Sequence, residues 1–124
     1  MGRSLRLLTM AALIAVPLAG ANRPVVAANW GVGIGVRPNP MHPNEPHAAV
    51  LTKSHIGAVC KARVEYDGTH QRPYVFKAVV IKSKAAVAWY FHAKTTAKRG
   101  QASVTCTYNH ATLTSIAYFK VLPR

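Results

Sequence analysis

From Trp30 onward, apolar and polar side chains alternate with a period of two along most of the chain, which predicts strands rather than helices. Between Ala58 and Tyr66, residues Cys60, Ala62, Val64 and Tyr66 share one face, with Lys61, Arg63 and Glu65 on the other. Between Gln101 and Tyr108, Ala102, Val104, Cys106 and Tyr108 alternate with Ser103, Thr105 and Thr107. From Val87 onward, Val87, Trp89 and Phe91 face one way and Ala88, Tyr90 and His92 the other. A last strand over Leu113 to Leu122 turns Ala117, Phe119 and Val121 inward. The predicted core is therefore built around Val64, Trp89, Val104 and Phe119, with both cysteines pointing into it.

Three weaker strands complete the pattern. Gly31 to Val36 alternates glycine with valine and isoleucine, as an edge strand does. His47 to Lys53 reads as a strand with Ala48, Val50 and Thr52 inward, and Tyr74 to Ile81 is β-rich throughout. Between them lie strong breakers. Arg37 to Pro46 holds four prolines in ten residues, so it is an extended connection. Asp67-Gly68, Lys82 to Ala85, Lys94 to Gly100 and Asn109-His110-Ala111 are turns or polar loops. Seven short strands with no helical period predict an all-β, antiparallel sandwich over residues 30–122.

Upstream, Met-Gly-Arg-Ser-Leu-Arg leads into an apolar run from Leu7 to Leu18 and then Ala19-Gly20-Ala21, the three parts of a secretory signal. The expectation is a signal peptide over 1–21, with an alternative cut after residue 28, and a loosely held mature terminus over 22–29. Removal leaves a secreted or surface-located chain with no stable membrane span and about 100 residues, enough for one domain. Two cysteines in an exported chain read as one disulfide, Cys60–Cys106. Closing a loop of roughly 45 residues is worth about 4 kcal/mol by chain entropy. The predicted position of the sulfurs is the space between the two sheets.

Charge narrows the partner more than the chemistry. Sixteen Lys and Arg stand against three acids, Glu45, Glu65 and Asp67, for a formal net charge of +13. Such a chain is drawn to anionic surroundings in a salt-dependent way. The basic stretches flanking the Trp89 strand supply the candidate polyanion-binding residues: Lys82 and Lys84 before it, Lys94, Lys98 and Arg99 after it. They leave opposite ends of that strand, which implies diffuse attraction rather than one pocket. Three scattered carboxylates give no acid–base pair, there is no Gly-x-Ser-x-Gly elbow, and oxidised cysteines supply no nucleophile. The reading is a non-enzymatic protein without cofactor or metal. The six histidines, His42, His47, His55, His70, His92 and His110, lack the spacing of a metal site.

Taken in order, Val32-Gly33-Ile34-Gly35-Val36-Arg37-Pro38-Asn39-Pro40, Gly57 to Gly68 around Cys60, Val87-Ala88-Trp89, Ser103-Val104-Thr105-Cys106 and Phe119-Lys120-Val121 resemble the Ig-like β-sandwich modules of bacterial secreted and cell-surface proteins. The resemblance spans almost the whole mature chain. It implies a seven-stranded immunoglobulin-like fold and an extracellular binding or surface-associated role without an active site. Two departures set this chain apart from antibody domains: Trp89 lies far behind the first cysteine, and Val104 stands where a tyrosine would precede the second. Its expected partners are a protein surface or an anionic extracellular polymer, whether wall polymer, acidic glycan or nucleic acid.

Overall fold

A computed structural model describes residues 29–123. The segment read as a signal peptide, with either cut, lies outside the described residues. The chain forms two antiparallel sheets and, among the described residues, no helix. The strands are β1 (Gly33–Arg37), β2 (Asn44–Lys53), β3 (Val59–Tyr66), β4 (Tyr74–Val75), β5 (Val79–Val80), β6 (Val87–Lys94), β7 (Arg99–Tyr108) and β8 (Ala111–Lys120). One sheet has the order β1-β2-β6. The other has the order β4-β3-β7-β8, with β5 also paired to β3.

The strand count is eight rather than seven because the span from Tyr74 to Ile81 does not run straight. Phe76 still bonds Ala62 through its backbone N–H, but the Lys77 carbonyl accepts the Trp89 indole N–H at 3.0 Å instead of joining the ladder. The ring of Phe76 turns inward against Trp89 and Phe91. Satisfying a buried indole thus interrupts an edge strand. At the proline-rich connection the opposite happens, and β2 begins at Asn44 rather than His47. Pro46 is tolerated because the register shifts between Glu45 and Ala48, and because β1 pairs with β2 only from Ala49 onward.

The inward faces of both sheets make one core, in which Val64, Val104, Trp89 and Phe119 are all buried. Cys60 and Cys106 are disulfide-bonded and fully buried. The bond does not link one sheet to the other. Cys60 and Cys106 are directly opposed in the β3–β7 ladder, with Cα atoms 4.0 Å apart, so it crosslinks neighbouring strands of a single sheet. The alternation points both sulfurs into the buried space between the sheets, as expected, but is the same whichever sheet each strand joins, so it does not say that the two strands are neighbours.

The β7–β8 hairpin turns on Asn109 and His110 alone, at φ 51° and 64°, and Ala111 already belongs to β8. Two residues at positive φ match the strand twist. At the far end of this hairpin Gly100 sits between Tyr66 and Phe119. A Cβ there would lie 2.6 Å from the Phe119 ring and 2.7 Å from the Glu65 carbonyl oxygen. Tyr66 packs edge-on against the same Phe119 ring, and its buried hydroxyl has no hydrogen-bond partner among the described residues. Burial, and secondarily the nearby Tyr74, push the Tyr66 phenol up to about 12.

Two predictions follow from this corner. Gly100→Ala should destabilise the fold by about 1–3 kcal/mol through overpacking, read as a lower urea midpoint; an unchanged midpoint would show that the corner has slack. For Tyr66 the folded state holds its proton more tightly than the unfolded chain does. The associated stability is therefore complete below pH 10 and lost as the pH rises towards 12. Tyr66→Phe should flatten that part of the alkaline stability profile and cost almost nothing at neutral pH. A loss above about 1 kcal/mol at neutral pH would mean that the hydroxyl is hydrogen-bonded after all.

Candidate functional site

Strand direction sorts the surface into two ends. One end carries the 54–58 and 81–86 connections and the tight Asn109-His110 turn. The other carries the 38–43, 67–73 and 95–98 connections and the close of β8. The predicted cations divide between them: Lys82 and Lys84 lie at the first end, Lys94, Lys98 and Arg99 at the second, and all five are exposed.

All three carboxylates fall at the second end. Glu45 pairs with Ala93 near the close of β6, Glu65 with Gln101 near the start of β7, and Asp67 follows β3 directly. Each is engaged locally. Arg63 reaches Glu65 at 2.7 Å, and Arg99 Nε lies 3.0 Å from Asp67 Oδ2. Glu65 also accepts a bond from Gln101, and Glu45 accepts one from the His47 backbone N–H. These pairs are exposed, so they add little to stability. Their effect is to neutralise part of the positive charge at that end.

The same end holds grooves. A groove of about 610 Å³ runs between Asn39, Asp67, Arg99, Tyr118, Phe119 and Lys120. A smaller one lies beside Thr69, Thr96 and Lys98, and a third is walled by Pro43, Thr95, Leu122 and Pro123. Lys120, in the closing Phe119-Lys120-Val121 stretch, stands directly opposite Arg99 in the hairpin. The signal was present: a two-residue turn at Asn109-His110 sets the register of the whole hairpin and brings Arg99 to Lys120.

At the opposite end the charge is of one sign. Lys53 closes β2, Lys82 and Lys84 sit in the 81–86 connection, and Lys61 lies two residues into β3 on its outward face. Among the described residues none of these four makes an ion pair, and no carboxylate lies at this end. The backbone ties the connections together. Gly57 N–H donates to the Ile81 carbonyl at 2.8 Å, and Ile81 N–H to the Ala58 carbonyl at 2.8 Å. The His55 ring stacks on Tyr108 with centroids 4.1 Å apart, and Trp30 meets the same tyrosine edge-on. Histidines do not gather anywhere into a ligand set: among the described residues no three His, Cys, Asp or Glu side chains are grouped to hold a metal ion.

No protein-family model matches the chain, and comparisons with curated proteins and with solved structures find no match.

Proposed function

We propose that the protein is a secreted, non-enzymatic Ig-like module with an extracellular binding or surface-associated role, recruited to an anionic partner by its positive surface. The strand order supports the Ig-like reading. On this reading β1, β2 and β6, neighbours in that order, would correspond to the A, B and E strands of an immunoglobulin sandwich, and β3, β7 and β8 to C, F and G. The disulfide departs from the antibody pattern by joining the C and F equivalents within one sheet. Its presence, and the absence among the described residues of any helix long and apolar enough to cross a membrane, are compatible with an extracellular protein.

The observation that carries the binding role is the distribution of charge. Sixteen Lys and Arg are opposed by only three acids, and those three all lie at one end, so positive potential persists around the rest of the surface. An alternative within the same reading is a dedicated polyanion binder for wall polymer, acidic glycan or extracellular nucleic acid.

The test is retention on heparin, on anionic wall polymer and on DNA across a salt series, with protein whose N-terminus is sequenced. The expected result is retention at low salt on all three matrices, falling steeply as salt rises, by a chain that begins at Asn22 or Asn29. Absence of retention on every matrix at low salt would remove anionic recruitment. An intact Met1 would remove the processed, secreted form.

A further inference from the structure

We propose that the carboxylate-free end docks on the surface of an anionic lipid bilayer, an inference that rests on the reading of charge-driven recruitment and names its target. A soluble polyanion asks only for cations. This end offers cations together with exposed aliphatic side chains: Ile56 is 49 % exposed, Val59 45 % and Val80 49 %. Val59 and Val80 are directly opposed in the β3–β5 pairing, and Ile56 stands on the neighbouring turn. Lys53 precedes that turn, and Lys82 and Lys84 follow β5. An apolar tip flanked by lysines, with no carboxylate to be repelled, has the composition of a surface that seats in the headgroup layer of an anionic membrane.

The tip is held before any contact is made. His55 Nδ1–H donates to the Ile56 carbonyl at 2.6 Å, while its ring stacks on Tyr108. Gly57 completes the turn at φ +97°, where a Cβ would come within 3.3 Å of the Tyr108 ring. The Gly57 N–H bond to Ile81 then fixes the tip against the lysine-bearing connection. Little ordering is left for docking to impose. Among the described residues the Lys and Arg side chains here are all lysines. Compact, flexible ammonium groups suit a fluid array of phosphates, whereas the described arginines, whose planar forks favour fixed two-point contacts, lie away from this end.

The experiment is co-sedimentation of the oxidised protein with vesicles of phosphatidylcholine alone or of phosphatidylcholine with phosphatidylglycerol, run beside heparin retention. The expected result is partition onto the phosphatidylglycerol vesicles only. Lys53→Glu, Lys82→Glu and Lys84→Glu combined should lower that partition by at least about tenfold, and Lys94→Glu with Lys98→Glu at the opposite end should lower it much less. Ile56→Ser should weaken vesicle binding several-fold while leaving heparin retention unchanged, a split that charge alone does not produce. All these positions are exposed, and a melting curve for each variant checks that the fold is kept. Heparin retention without vesicle binding would overturn the docking proposal and leave recruitment by a soluble polymer standing. Equal losses from charge reversal at the two ends, or vesicle binding indifferent to Ile56, would overturn it as well.

Discussion

Cys60 and Cys106 occupy opposed positions on β3 and β7, the two inner strands of the larger sheet, and the bond between them sets the frame for everything attached to that pair. With that register held, Val59 pairs with Thr107 at one end and Tyr66 with Gly100 at the other. The β7–β8 hairpin extends the frame outward through its two-residue turn, and β4 and β5 fill the other side of β3. A chain of this size buries a modest core, much of it alanine and valine, so a covalent constraint on the unfolded state is a large share of its stability. The two sheets are held to each other by side-chain packing and by bonds such as that from the Trp89 indole to the Lys77 carbonyl, not by the disulfide. Phe76 contributes by reaching from the interrupted edge strand to Trp89 and Phe91 on the facing sheet.

The same frame separates the charges. Strand direction carries Glu45, Glu65 and Asp67 to one end, where arginine, glutamine and backbone groups engage them, and leaves Lys53, Lys61, Lys82 and Lys84 without an acid at the other. A chain with few carboxylates thus acquires polarity from where they fall, not from how many there are. The end that holds the Asn39–Lys120 groove is also the partly neutralised one. The uniformly positive end bears exposed aliphatic side chains beside its lysines, a composition suited to an extended partner.

Much of this was legible in the residues themselves. Period-two alternation located β3, β6 and β7 because each buries one face, and burial of one face is what writes the alternation into the sequence. It was silent on which strands share a sheet, so it gave the cysteines their inward direction without giving them their shared sheet. The break between β4 and β5 was illegible because its cause, the Trp89 indole seeking a carbonyl, comes from another strand. The start of β2 was hidden by Pro46, which reads as a breaker until a bulge and a missing neighbour strand make room for it. Of the candidate basic residues, the split between Lys82 with Lys84 and Lys94 with Lys98 followed from strand length alone. The pairing of Arg99 with Lys120 needed the hairpin register, and the gathering of all three acids needed every strand direction at once.

The central claim is that the buried Cys60–Cys106 bond holds the inner strand pair and, through it, the arrangement of both ends. The most direct test is urea unfolding of the protein with the disulfide intact and after complete reduction. The account predicts that reduction lowers stability by about 4 kcal/mol, the chain-entropy value for a loop of this length. Coincident unfolding curves for the two forms, or free thiols in the unreduced denatured protein, would contradict it.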